Sequence, residues 1–170
     1  MKKRQMLRAL LIILTLSLMA TVFLFSAQAG NDSANSSSGL VKLLRSVFVP
    51  DYGGMTPAEQ GEIDHVLTVI VRKGAHMTEF AALAALGLLN CMAWDVPKKY
   101  ALKLCAAFLF SALYAASDEI HQLFVPGRAG LFTDVLVDCA GALIGLAVTS
   151  GIIFLAARAK KRRATKATGI

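Results

Sequence analysis

Charged residues and cysteines are both scarce in this chain. Only 17% of its 170 residues are charged, whereas 56% are apolar, and the apolar residues form long runs instead of alternating with polar ones. This pattern excludes an ordinary soluble domain and is typical of an integral membrane protein. The three cysteines have no paired spacing, so we interpret them as small packing residues, not as a disulfide framework or a nucleophile.

Several motifs that would indicate other functions are missing. The net charge is +7, but no aromatic-interleaved basic patch accompanies it, which argues against nucleic-acid binding. The sequence contains no H-E-x-x-H motif and no repeated ligand spacing, so we predict no metal site and no cofactor. It also has no internal repeat and no sign of a second domain.

Four apolar runs approach the length of about 20 residues that a membrane span requires. They predict an all-α integral membrane protein, folded as a compact bundle of four transmembrane helices. The predicted segments are a basic N-terminus (1–8), a first span (9–27), an extracytoplasmic loop with an interfacial helix (28–73), a core with three further spans (74–157) and a basic tail (158–170).

The basic residues predict the orientation of the bundle. They cluster before the first span, around the turn between the second and third spans, and after the fourth, whereas Asp95 is the one acidic residue among them. The positive-inside rule then places both termini in the cytoplasm. An alternative for residues 1–29 is a cleaved signal peptide ending at Ala27-Gln28-Ala29, but the 19-residue apolar stretch favours a retained anchor.

The loop between the first two spans contains three recognisable pieces. "GNDSANSSSG" predicts a flexible polar stretch, and "LVKLLRSVFV" a short helix lying in the membrane interface. Thr56-Pro57-Ala58-Glu59 forms a capping box with proline at the first helical position, so a helix is expected to start there and to continue into the second span.

Polar residues of three spans are predicted to meet at one depth. His76 and Glu79 lie near the outer end of the second span, as do Asp118, Glu119, His121 and Gln122 in the third and Asp134 and Asp138 in the fourth. Their spacings of three and four place each set on one helix face, which must point inward because charges facing lipid are costly. We therefore predict a polar pocket at the outer leaflet, rimmed by Arg72, Lys73 and Arg128.

These residues also carry a resemblance to a family. "FSAQ", "RKGAHMTEFAALAALGLL", "SDEIHQLFVPGRAG" and "DVLVDCAGALIG" resemble the motifs of the VanZ-like family of small bacterial membrane proteins, over Phe25 to Leu146. Phe80 stands where the family often has tyrosine, and Asp138 where it often has asparagine. The resemblance implies a membrane protein of the cell envelope and a possible link to resistance against the glycopeptide teicoplanin.

Three classes of function stay open. The first is binding or modification of an envelope molecule, such as an anionic lipid, an envelope precursor or a glycopeptide, with Arg72, Lys73, Gln122, Arg128, Asp134 and Asp138 as ligand-binding residues. The second is an intramembrane enzyme that works by acid and base or, alternatively, through a divalent metal, with His76, Glu79, Asp118, Glu119 and His121 as candidate catalytic residues. The third is a structural bundle whose buried ions fix helix packing. The oligomeric state is left open.

Overall fold

The computed structural model describes residues 2–27 and 30–167, with side chains described outside 30–38 and 166–167. Within these residues the protein is entirely helical. The helices are α1 (Lys2–Ser26), α2 (Gly30–Phe48), α3 (Pro57–Trp94), α4 (Tyr100–Gln122) and α5 (Phe132–Ala167), and a 3-10 turn covers Tyr52–Gly54.

Four of these helices are long and apolar enough to cross a membrane, namely α1, α3, α4 and α5. This confirms the all-helical fold, with four helices that could form the predicted spans. The helices extend past the predicted limits of the spans, because polar residues at a helix end continue the backbone hydrogen bonds outside the apolar region.

Helix α3 begins at the capping box that the sequence predicts. The Thr56 hydroxyl accepts a hydrogen bond from the Glu59 amide, the Glu59 carboxylate accepts one from the Thr56 amide at 2.8 Å, and Pro57 opens the helix. The helix then runs for 38 residues without a break and ends at Asp95, which has a φ of 56°. The predicted helix of the loop and the second span are thus one continuous element.

The prediction of a flexible stretch at residues 30–39 is wrong, because the backbone of α2 is already helical from Gly30. Once the segment from Leu40 to Phe48 is helical, each added residue gains one backbone hydrogen bond, which offsets the low helix propensity of serine and asparagine. Arg45 holds α2 against α3 through two hydrogen bonds to the Asp64 carboxylate, of 3.1 and 3.2 Å. The side chains of Leu40, Leu43, Val47 and Phe48 stay exposed.

Contacts along α1 fix the direction of each helix in the bundle. Near its start the Arg8 side chain donates to the Ala93 carbonyl at 3.1 Å, and near its end the Ser26 hydroxyl donates to Asp118 at 2.9 Å. Helix α1 is therefore antiparallel to α3 and parallel to α4. The starts of α1 and α4 and the ends of α3 and α5 share one end of the bundle, and the α4–α5 loop lies at the other.

Helices α3 and α5 run in parallel at very short range. A Cβ atom added to Gly141 or Gly145 would lie less than 3.0 Å from the backbone of Met77 or Ala81, respectively. Small residues four apart in the sequence of the fourth span, Gly141 and Gly145, predict close helix packing, and these contacts confirm it. The buried residues Ala84, Leu88, Ala107, Ala142 and Leu146 form the core beside this contact.

Two lysines hold the turn between α3 and α4 through ion pairs with Asp95. Lys103, whose side chain is 9% exposed, donates to Asp95 at 2.6 Å, and the exposed Lys98 donates to its other oxygen at 2.9 Å. The Lys103 hydrogen bond, followed by that of Lys98, lowers the pKa of Asp95 from 3.8 to about 2. The turn thus depends on an ionised Asp95.

This pair predicts an acid-sensitive contribution to stability. Because the pKa of Asp95 is lower in the folded protein, its contribution is complete above pH 3.8 and is lost as the pH falls toward about 2. Thermal unfolding in detergent should therefore show a steeper loss of stability over this range in the wild type than in Asp95→Asn. Parallel profiles for the two proteins would contradict the assignment.

Candidate functional site

A cavity of about 280 Å³ opens at the end of the bundle that carries the α4–α5 loop. It is lined by α3, the last turn of α4, the loop and the first turns of α5. The lining residues are Val69, Arg72, Lys73, His76, Glu119, Gln122, Gly127, Arg128, Ala129, Leu131, Asp134, Val137 and Asp138. Eight of the eleven predicted site residues are therefore brought together, and Glu79, Asp118 and His121 are not among the lining residues.

The cavity has two levels, since α3 and α5 run in parallel. Arg72 and Asp134 lie at the outer level, and His76 and Asp138, four residues further along the same helices, lie about one turn deeper. Three cations and three carboxylates line the cavity, so its formal charge is balanced before the histidine is considered.

Asp118 lies behind the cavity wall and joins α1 to α4. It is 3% exposed, and its Oδ2 atom accepts hydrogen bonds of 2.9 Å from both the Ser26 hydroxyl and the Gln122 amide. Ser26, which is fully buried, was not predicted as part of this site. The signal that marks it is its position in "FSAQ", beside the end of the first span.

His121 faces α1 instead of the cavity. Its ring lies 4.5 Å from the ring of Phe23, measured between centroids. Consecutive residues of a helix are rotated by about 100°, so His121 is turned away from Gln122, which does line the cavity. The prediction of one shared face for Asp118, His121 and Gln122 was therefore too coarse. Glu79 is half-buried outside the cavity, within electrostatic range of Asp118.

Glu119 holds the α4–α5 loop in place. Its carboxylate accepts from the Leu131 amide at 2.8 Å and from Gln122 at 3.3 Å. A Cβ atom at Gly130 would meet the Glu119 carbonyl and the Leu123 side chain, so glycine is required where the loop passes over the end of α4. The Glu119 carboxylate thus has a structural role, and its contacts fix the loop that carries Arg128.

Arg128 is presented by a tight turn. The Arg128 amide donates to the Val125 carbonyl at 3.1 Å, and Gly127 has a φ of 74°, which suits glycine. The Arg128 guanidinium donates to the Phe25 carbonyl at 3.1 Å, across to the end of α1. Burial, followed by the positive charge of Arg72, lowers the pKa of Arg128 from its ordinary value, while Asp118 and Glu119 act in the opposite direction.

The two cations of α3 differ in their partners. Lys73 donates to Asp134 at 2.5 Å, so its charge is compensated by the first turn of α5. The buried Nε atom of Arg72 makes no hydrogen bond to residues 2–27 or 30–167. Of these two cations, Arg72 is thus the one that keeps a buried donor without a partner among the described residues.

Two further polar atoms lack partners at the deeper level. They are the Nδ1 atom of His76 and the Oδ2 atom of Asp138, both buried and without a hydrogen bond to the residues that the structure describes. Native proteins seldom leave such atoms unpaired unless a water, an ion or a ligand completes them. Across the described ranges, no three histidine, cysteine or carboxylate side chains are grouped so that they could hold a metal.

Comparison with known proteins gives one finding. The family model described as VanZ/LLP1 matches residues 11–155, whereas no curated protein and no solved structure matches the chain significantly. The match contains α1 from Leu11 onward, all of α3 and α4, and α5 up to Leu155, and with them every residue that lines the cavity. The chain therefore belongs to the VanZ/LLP1 family, as the resemblance of its motifs predicted.

Proposed function

We propose that this VanZ-like protein lies in the bacterial plasma membrane with both termini in the cytoplasm, and that its cavity binds the anionic group of a cell-envelope molecule at the outer leaflet. The ligand would be an anionic lipid or a glycan or peptidoglycan precursor. The observation that carries the proposal is the convergence of Arg72 and Arg128 on one cavity, where the Nε atom of Arg72 has no hydrogen bond to the described residues.

The electrostatics of the mouth favour an anion. After burial, the positive charge of Arg72 is the next cause that lowers the pKa of Arg128. An anion between them removes this repulsion and accepts hydrogen bonds from planar guanidinium groups, which suit phosphate and carboxylate. The apolar side chains of Val69, Leu131 and Val137 line the same cavity and would pack against the carbon skeleton of such a ligand.

The orientation rests on charge. The end of the bundle that holds the start of α1, the Asp95–Lys99 turn and the end of α5 is strongly basic, which favours the cytoplasm. The cavity is at the opposite end and so faces outward in this proposal.

Cysteine labelling tests this orientation. In a variant without Cys91, Cys105 and Cys139, we expect Phe124→Cys to react with an impermeant maleimide in intact cells, and Lys98→Cys only after permeabilisation; both side chains are highly exposed. The reverse pattern would overturn the orientation. Gly130, an obvious choice from the sequence, has no room for a side chain, and that of Asn35 lies outside the described residues.

Binding is tested by native mass spectrometry of the purified protein with added phosphatidylglycerol. Arg72→Gln should weaken binding by about tenfold or more, because a hydrogen bond to a charged group is worth about 1.5 to 3 kcal/mol. Lys42→Gln, which removes one exposed cation from α2, is the matched control and should bind as the wild type does. Equal binding by all three proteins would contradict the proposed site.

A second function is favoured by one specific observation. His76 and Asp138 lie at the same deep level of the cavity with unpaired polar atoms, as an acid and a base would. In that case His76→Ala should retain lipid binding and abolish conversion of a radiolabelled envelope lipid. Unchanged lipid after prolonged incubation with the wild-type protein would remove this candidate, and loss of binding as well would favour the purely structural bundle.

A contribution to teicoplanin resistance belongs to the same proposal and is implied by the family resemblance. Expression in a susceptible host should raise the inhibitory concentration of teicoplanin, and Arg72→Gln should abolish the increase at equal protein level. An increase that persists in Arg72→Gln would separate resistance from the cavity.

A further inference from the structure

A carboxylate at the deep end of the cavity has an oxygen atom with no hydrogen-bond donor among the described residues. Asp138 is 1% exposed and lines the cavity, and its Oδ2 atom accepts no hydrogen bond from residues 2–27 or 30–167. A carboxylate oxygen removed from water without a donor is destabilising, so its presence requires a reason.

Packing does not supply that reason, because three other carboxylates around the cavity each have a donor. Asp118 accepts from Ser26, Glu119 from the Leu131 amide and Asp134 from Lys73. Each of these three connects two parts of the fold. Asp138 makes no such connection within residues 2–27 and 30–167, although it is the most deeply buried of the four.

The position of Asp138 complements that of Arg72. On α5 it lies one turn deeper than Asp134, just as His76 lies one turn deeper than Arg72 on α3. The cavity therefore offers donors from Arg72 and a buried acceptor from Asp138, which lies deeper. A headgroup that carries both an anion and a donor could use both groups at once.

On the basis of the function proposed above, we propose that the ligand carries both an anionic group and a hydrogen-bond donor on the same headgroup. Arg72 binds the phosphate or carboxylate, and Asp138 accepts from an ammonium or hydroxyl group. Ethanolamine phosphates and glycerol phosphates have this chemistry. Both occur as lipid headgroups and as free molecules, and the cavity recognises the same groups in either form.

Two matched pairs of lipids test the donor directly in the unmodified protein. Phosphatidylglycerol and phosphatidylmethanol have the same charge but only the first has headgroup hydroxyls, and phosphatidylethanolamine has N–H donors that phosphatidylcholine lacks. By native mass spectrometry we expect the donor-bearing member of at least one pair to bind about tenfold more tightly or better. Free glycerol 3-phosphate and phosphoethanolamine, added as competitors, distinguish a soluble ligand, which they would displace, from a lipid held also by its chains.

Asp138→Leu assigns the preference to this residue. Leucine has the same branching as aspartate and needs no donor, so the variant should fold with a melting temperature at or above that of the wild type. It should bind both members of each pair equally, and Asp138→Ala, which also lacks an acceptor, serves if the leucine variant is not recovered.

The outcomes separate the two proposals. Equal binding of both members of each pair by the wild type overturns the donor inference and leaves the anion site standing. A donor preference that survives in the Asp138 variants also overturns it. Failure of all four lipids and both competitors to bind overturns the anion site and the inference together.

Discussion

Replacing Gly145 by valine is expected to remove most of the folded protein. A Cβ atom at this position would lie less than 3.0 Å from the backbone of Ala81, and backbone cannot move aside as the end of a flexible side chain does. The helices α3 and α5 would have to separate, which would loosen the packing of Ala142 and Leu146 against Ala84 and Leu88. Overpacking typically costs about 1 to 3 kcal/mol, and a backbone obstacle should place this variant at the upper end or beyond.

The measurement is the yield and melting temperature of the protein after extraction in detergent. Gly151→Val is the matched control, since Gly151 belongs to the same helix and has open space around its Cα atom. Similar yields for the two variants would show that α3 and α5 do not approach each other as closely as described.

Changing Arg128 should impair binding far more than folding. The carboxylates nearest to it keep their donors without it, because Asp118 is bonded to Ser26 and Glu119 to the Leu131 amide. Arg128→Ala should therefore lose about 1 kcal/mol for each hydrogen bond of the guanidinium, such as that to the Phe25 carbonyl, while binding of an anionic lipid falls by tenfold or more. Arg128→Lys should also bind poorly, because an ammonium cannot reproduce the planar pair of donors.

The opposite result has a clear physical meaning. If Arg128 is a buried counter-ion, its removal leaves carboxylates uncompensated at a cost of about 3 to 5 kcal/mol. Arg128→Ala would then give little folded protein while Arg128→Lys stayed fully active. Melting temperature and lipid binding, measured on both variants, distinguish the two roles.

The features that the sequence predicts well are those set by local rules. The capping box at Thr56 follows from residue types at fixed spacing, and the spans follow from length and apolarity. The close approach at Gly141 and Gly145 follows from small residues four apart on one face. That His76, Glu119 and Asp138 line one cavity follows from counting along helices of alternating direction.

The features that the sequence does not predict depend on contacts between distant segments. Whether His121 faces the cavity or Phe23 is decided by a rotation of about 100° between neighbours and by where α1 packs. Ser26 becomes a donor to Asp118 only because α1 ends beside α4. Lys103 carries no sign in the sequence that it is buried, since its burial depends on the position of Asp95 at the end of α3.

The most direct measurement is an experimental structure of the protein in a lipid nanodisc that contains phosphatidylglycerol and phosphatidylethanolamine. We predict a non-protein group in the cavity, with its anionic part within hydrogen-bonding distance of Arg72 and a donor against Asp138. A well-resolved cavity filled only by water, or one in which Arg72 turns away to form an ion pair with a protein carboxylate, would contradict the account.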